Sequence, residues 1–375
     1  MSELEICKKC GVPRLVSTSF DWGDNGVISV SYSPKARMVF YESDNIDNIF
    51  RGVEELIGLP IEHIVIERKR RDTRRFMERV FPEQIKKTVD ILGEERLEKL
   101  SLVEAGMQQE ILVMGEEANA QATAIGTVYG YGDIRFSKLW EFWDTFPWRT
   151  QIIRNPYSVI FFSADMLATV EAFEQRNMRV KYEKISDDIY LLSARPGEHP
   201  IELADRLKRK THETKSGDIS YERCSECGVP QSITRCRWNL EEGTIIDPET
   251  GRRMAFFDPA AVDTVFGDLE TELGEAVPEA IIEAQRRYGK LSMSVYNWKR
   301  SGHDFKAWAG LRGLGNIVAF QADERRLTLT IENPSMNLII VGMAIALYEL
   351  AWGAESSTHE WHQTDDGDLT ITVVM

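Results

Sequence analysis

Four cysteines stand in two nearly identical phrases. One reads Cys-Lys-Lys-Cys-Gly-Val-Pro over Cys7–Pro13, the other Cys-Ser-Glu-Cys-Gly-Val-Pro over Cys224–Pro230. In a Cys-x-x-Cys-Gly knuckle a tight turn aims both sulfurs at one point, and the glycine lets backbone N–H groups face the thiolates. One knuckle supplies two ligands, whereas a structural zinc takes four in a tetrahedron. Cys7, Cys10, Cys224 and Cys227 therefore predict a single structural zinc site, provided that the two phrases meet. Other readings stand beside it: free thiols in a reducing cytosol, two redox disulfides, or a site shared between two chains. A thioredoxin-type pair opens a helix, and the Gly-Val-Pro turn here argues against that use. The fifth cysteine, Cys236, has no counterpart in the first phrase and reads as an ordinary buried cysteine.

The second group of interest is aromatic. Trp140, Phe142, Trp143 and Phe146 crowd one segment, with Tyr157 and Phe161 following. The corresponding segment after Asn316 is mostly not aromatic. Such an imbalance predicts an apolar ligand pocket lined by these six residues, against the plainer reading of a packed aromatic core. The basic run from Arg68 to Arg79 reads as a solvated helix face paired with nearby Glu residues, or else as an anion or partner site. His359 and His362 read as surface residues on a strand, and His303 with Asp304 as a loop pair with weak acid–base potential. No nucleophile elbow, phosphate loop, HExxH or dinucleotide fingerprint is present.

The elements that carry these residues are written twice. After each knuckle come a tryptophan (Trp22, Trp238), a Gly-bearing turn (Gly26, Gly243) and an Arg-Met-x-Phe strand ending at Phe40 or Phe256. Each is read as a hairpin. An amphipathic helix follows each time. Its stripe is Ile46, Ile49, Phe50, Val53 and Ile57, or Val262, Val265, Phe266, Leu269 and Leu273, and it stops at Gly58 or Gly274. The copies then diverge through a helical stretch that is longer in the first, over Arg68–Ala124. They converge again at Gly130–Ile134 and Gly313–Ile317, reading strand, strand, buried helix, strand, strand. Asn155-Pro156 and Asn333-Pro334 read as N-cap plus first-turn proline for helices Tyr157–Gln175 and Ser335–Trp352. The joining segment reads as a charged helix over Ile201–Lys215 and then a linker. The expected fold class is α+β, an internal tandem duplication with repeats at 1–215 and 216–375, packed as a pseudo-twofold dimer.

The later portion of each copy resembles the 4-vinyl reductase domain, a small-molecule sensor module. The resemblance rests on the helical lead-in, the Gly-x-Gly before a strand pair, the buried helix and the final pair with its Asp-Gly turn. It covers roughly Phe76–Ala194 and Tyr288–Met375. It implies a mixed α/β unit, often dimeric, that binds small hydrophobic or aromatic compounds between helices and sheet. The metal-binding cysteines that family members often carry in the last strand pair are lacking here.

Composition sets the outer limits. The 375 residues carry a net charge of −15, with 43% hydrophobic and 28% charged residues. That balance disfavours nucleic acid and anionic lipid as partners. With no basic-apolar leader and no membrane-length apolar run, a cytoplasmic location is expected. Taken together, the sequence predicts a non-catalytic binding protein for a small apolar or aromatic molecule, acting as sensor, carrier or accessory subunit, with room for a protein partner and with a structural zinc. The alternative is an enzyme, or an enzyme subunit, acting on a hydrocarbon or tetrapyrrole-like substrate.

Overall fold

A computed structural model describes residues 5–80, 120, 123–136, 147–201, 203, 212–292 and 302–375. They form an α+β protein grouped into two compact units. The smaller draws on Glu62–Ala204 and Asn239–Thr244, the larger on Leu4–Ile61, Asp205–Trp238 and Ile245–Met375. These units are drawn differently from the two sequence repeats, because both knuckles and both amphipathic helices fall in the larger one.

In the larger unit a short helix α1 (Arg14–Ser19) leads into β1 (Phe20–Trp22), β2 (Ile28–Val30) and β3 (Ser33–Glu42). The second hairpin supplies β8 (Arg237–Asn239), β9 (Thr244–Ile246) and β10 (Arg253–Phe257). All six join one sheet in the order β1-β2-β3-β10-β9-β8. The join is antiparallel between β3 and β10, with Phe40 directly opposite Phe256. Their rings lie 4.6 Å apart, Phe20 stacks on Phe256 at 4.7 Å, and Trp22 meets Phe256 edge-on at 6.1 Å. This aromatic knot is the centre of the sheet's buried face.

Helix α2 (Ser43–Ile57) buries Ile46, Ile49, Phe50 and Val53, and ends where Gly58 adopts a left-handed φ of 75° and donates to Glu54 O. Helix α5 (Pro259–Leu273) begins with the Asp258 carboxylate accepting from Ala260 N and proline in the first turn. It buries Val262, Val265, Phe266 and Leu269, then stops at Gly274. Both spans follow the sequence reading, since caps and stripes are local signals. Helix α6 (Val277–Ser292) packs on α2 so closely that a Cβ on Gly52 would sit 2.8 Å from the Ala284 Cβ. Beside it Asn45 Nδ2 donates to Gln285 Oε1 at 2.7 Å, both side chains buried.

The rest of the larger unit is α7 (Gly302–Leu311), β11 (Asn316–Ala322), β12 (Arg326–Glu332), α8 (Asn337–Trp352), β13 (Thr358–Gln363) and β14 (Leu369–Val374). Its antiparallel sheet runs β11-β12-β14-β13. The smaller unit holds α3 (Glu62–Val80), β4 (Asp133–Phe136), β5 (Thr150–Arg154), α4 (Val159–Glu174), β6 (Met178–Ser186) and β7 (Ile189–Pro196). Its sheet runs β4-β5-β7-β6, the same order. Helices α4 and α8 are buried on most sides, as their composition predicts.

Three local expectations are corrected. Asn155 and Asn333 do not cap the helices; both are left-handed, with φ of 51° and 50°. Ser158 caps α4 instead, and Met336 precedes α8 with φ of 55°. The Asn333 side chain serves a loop, accepting from Lys215 N at 2.8 Å and donating to Lys215 O at 3.1 Å. His303 and Asp304 belong to helix α7, not to a loop. The basic run is not simply a solvated face, for Arg68 and Arg70 are buried. The predicted linker helix over Ile201–Lys215 falls mostly outside the described residues, and 212–218 has no regular structure.

A pair of glycines makes a close backbone approach in each unit. In the larger, Gly315 N donates to Gly26 O, and a Cβ on Gly26 would lie 2.2 Å from Gly315 O. In the smaller, Gly132 N donates to Gly243 O, and a Cβ on Gly243 would lie 2.1 Å from Gly132 O.

Candidate metal centre

Each knuckle is shaped by the same backbone bonds. In the first, Cys7 N donates to Val12 O and Gly11 N to Cys7 O, both at 2.8 Å. In the second, Cys224 N donates to Val229 O and Gly228 N to Cys224 O, both at 2.9 Å. Gly11 and Gly228 stand at φ of 77° and 78°, a left-handed turn that closes each loop at no steric cost. The flanks pair as isolated bridges, Ile6 with Pro13 and Arg223 with Pro230.

The two knuckles meet within the larger unit. Cys7 Sγ lies 3.9 Å from Cys224 Sγ, and Cys10 Sγ lies 3.5 Å from Cys227 Sγ. All four sulfurs fall within 4.8 Å of one another. A tetrahedral zinc with Zn–S of about 2.3 Å needs sulfurs about 3.8 Å apart, so the spacing suits the ion. Cys7 and Cys224 are buried, while Cys10 and Cys227 are half-buried. None of the five cysteines is in a disulfide.

Polar contacts bind one knuckle to the other independently of the sulfurs. Lys9 N donates to Glu226 Oε2 at 3.1 Å, Lys9 Nζ donates to Ser225 Oγ at 2.7 Å, and Arg14 forms an ion pair with Glu226. Arg223 ties the second knuckle to the sheet, donating to Trp22 O at 2.6 Å and Gly228 O at 3.0 Å. The backbone amides of Cys227 and Glu226 hold the Cys224 thiol down to about 6. Burial pushes the Cys227 and Cys10 thiols up, so those two favour the protonated form when no ion offsets their charge. Burial likewise pushes half-buried Cys236 up to about 12, and that residue takes no part in the cluster.

Of the expected aromatic ligand residues, Trp140, Phe142, Trp143 and Phe146 lie outside the described residues. Tyr157 and Phe161 are buried in the smaller unit. Tyr157 stacks on Tyr131 at 4.3 Å and meets Phe161 edge-on at 6.5 Å. His359 lies on strand β13 and reaches Glu279 at 3.3 Å, and His362 is exposed there, as the strand pattern predicts.

Buried ion-pair networks are the feature that sequence reading overlooked. In the smaller unit, fully buried Glu171 accepts from Arg70 at 2.5 Å, Arg74 at 3.3 Å and Met178 N at 2.9 Å, and contacts His199 Nε2 at 2.6 Å. In the larger, fully buried Glu349 contacts Arg286 and Lys290, each at 2.8 Å, and accepts from Ser357 at 2.8 Å. The signal was present in the sequence. Glu67, Arg70, Arg71 and Arg74 recur at identical spacing as Glu283, Arg286, Arg287 and Lys290.

No family model, curated protein or solved structure matches the chain. Among the described residues, no helix is long and apolar enough to cross a membrane.

Proposed function

We propose that the chain is a zinc-stabilised, internally duplicated binding protein for a small apolar or aromatic molecule. The observation that carries the metal is the convergence of Cys7, Cys10, Cys224 and Cys227 from phrases 217 positions apart. An all-sulfur tetrahedral donor set favours zinc, with an iron tetrathiolate as the chemical competitor. The ion's role is structural, because four protein ligands leave no open position for substrate. When bound it would offset the charge of four thiolates in a largely buried place.

Several observations support the duplication and a pseudo-twofold arrangement. The knuckles share their hydrogen bonds, the two four-stranded sheets share their order, and Glu171 and Glu349 share their basic partners. Phe40 and Phe256, at matching places in the two hairpins, face each other across the sheet. Each hairpin glycine lies against the Gly-x-Gly of the other copy, Gly26 on Gly315 and Gly243 on Gly132. That crossed pattern is what an intertwined dimer becomes when its two chains are fused.

The ligand reading rests on the resemblance to the 4-vinyl reductase domain and on the aromatic character peculiar to the first copy, of which Tyr131, Tyr157 and Phe161 form the described part. Native mass spectrometry with elemental analysis tests both halves of the proposal. One zinc per chain is expected, together with an apolar compound recoverable by organic extraction. Iron in place of zinc, or a metal-free chain after reducing purification, would reject the zinc site. Failure of any apolar compound to bind would reject the ligand reading.

A further inference from the structure

A second polar cluster of the smaller unit gathers at Asp165. Lys69 Nζ donates to Asp165 Oδ1 at 2.5 Å and to Thr73 Oγ1 at 3.1 Å. The Thr73 hydroxyl also reaches Asp165 Oδ1, at 2.6 Å, and the Tyr157 hydroxyl donates to Asp165 Oδ2 at 2.8 Å. The Lys69 ammonium lies 5.7 Å from the centre of the Phe161 ring. Lysine, aspartate, threonine and tyrosine thus meet beside the packed rings of Tyr131, Tyr157 and Phe161.

This cluster is peculiar to one copy. The neighbouring Glu171–Arg70–Arg74 network is repeated as Glu349–Arg286–Lys290, and it already locks the lead-in helix to the buried helix. At the places corresponding to Lys69, Thr73, Tyr157, Phe161 and Asp165, the second copy has Gln285, Gly289, Ser335, Ile339 and Met343. The same scaffold is therefore built without these charges, and an ion pair of this burial is weak evidence for stability. Side-chain exposure is 14% for Lys69 and 22% for Asp165, so the pair is shielded but reachable.

Resting on the binding reading above, we infer that Lys69 and Asp165 anchor the polar head of the ligand, and that the head is neutral and both donates and accepts hydrogen bonds. An alcohol or a carboxamide on an aromatic body meets this need. Its oxygen accepts from the Lys69 ammonium while its O–H or N–H donates to the Asp165 carboxylate. A carboxylate head would add a second negative charge beside Asp165, and an amine would compete with Lys69 for the same oxygen.

Calorimetric titration of the full, metal-loaded chain with three shape-matched probes tests this: 1-naphthylmethanol, 1-methylnaphthalene and 1-naphthoate. The alcohol should bind about tenfold or more tighter than the hydrocarbon, the range expected for hydrogen bonds to charged groups. In Lys69→Met and Asp165→Asn the alcohol-over-hydrocarbon preference should vanish, falling to within about twofold of equal affinity. Thr73→Val, a milder change, should reduce the preference, and it keeps the test open if a charge variant fails to fold. Circular dichroism and zinc content identify folded variants. An unchanged alcohol preference in the variants, no preference in wild type, or tightest binding of the naphthoate would overturn the anchor and leave the binding reading standing. Binding of none of the three probes by wild type would overturn both.

Discussion

Replacing Gly26 by alanine should destabilise the larger unit far more than the same change at Gly251. The two glycines share a left-handed backbone, with φ of 72° and 70°. A side chain in that conformation costs about 1–2 kcal/mol at either place. Their surroundings differ. A Cβ on Gly251 meets nothing within 4 Å, whereas a Cβ on Gly26 would lie 2.2 Å from Gly315 O and 2.8 Å from Asn316 N. An ordinary contact needs roughly 1 Å more, so the hairpin turn must lift off the Gly-x-Gly loop. Lifting it breaks the Gly315 N to Gly26 O hydrogen bond, now 3.1 Å long. That loss adds about 1 kcal/mol, and disturbed packing around it adds a similar amount or more. Gly26→Ala should therefore cost about 2–3 kcal/mol beyond Gly251→Ala, which for a unit of this size lowers the melting midpoint by about 5–10 °C more. Paired thermal and urea denaturation followed by circular dichroism gives the comparison directly. Equal midpoints for the two variants would refute the reasoning, because backbone strain alone would then account for both.

Three further outcomes are expected. Cys224→Ser should lower zinc content, measured by elemental analysis, and lower the melting temperature with it, since a structural zinc contributes on the order of 10 kcal/mol in small modules. In metal-stripped protein the Cys224 thiol, held at about 6 from an ordinary 9.0, gives stability that is complete above pH 9 and is lost as pH falls through about 6. The urea midpoint of the stripped wild type relative to Cys224→Ser should therefore shrink across that window, and a gap that widens on acidification would contradict the assignment. Glu349→Ala leaves Arg286 and Lys290 facing each other without their shared carboxylate, and chemical denaturation should show a loss of about 2–4 kcal/mol.

Legibility in the sequence followed the range of the interactions. The stop at Gly58, the Asp258-Pro259 start and the apolar stripes of α2 and α5 are short-range signals, and the structure has them where the residues indicate. The knuckles could be paired on paper because four thiols satisfy one tetrahedral ion and two do not. The Asn-Pro pairs misled because asparagine both caps helices and tolerates a left-handed backbone, and here Asn155 and Asn333 do the second. The basic run misled in a different way. Its helical periodicity says which residues share a face, but not that Glu171 waits opposite Arg70 on another helix. Comparing the run with Glu283–Lys290 would have flagged Glu67, Arg70 and Arg74 as a repeated unit. Nothing local indicates that Gly26 seats against Gly315 or Gly243 against Gly132, since those approaches depend on how the hairpins cross.

The pairing of β3 with β10 has a consequence for biogenesis. Ribosomal synthesis at about 5–20 residues per second separates Cys7 from Cys224 by roughly 10–40 s. Throughout that interval the first knuckle can offer an ion only two sulfurs, and the edge of β3 that Phe40 shares with Phe256 is without its partner strand. Assembly of the four-sulfur cluster and closure of the six-stranded sheet are therefore late events, reached only after the second knuckle and β10 have been made. A chain halted before the second knuckle keeps an open sheet edge and two unmatched thiols, the features by which nascent chains aggregate or are removed.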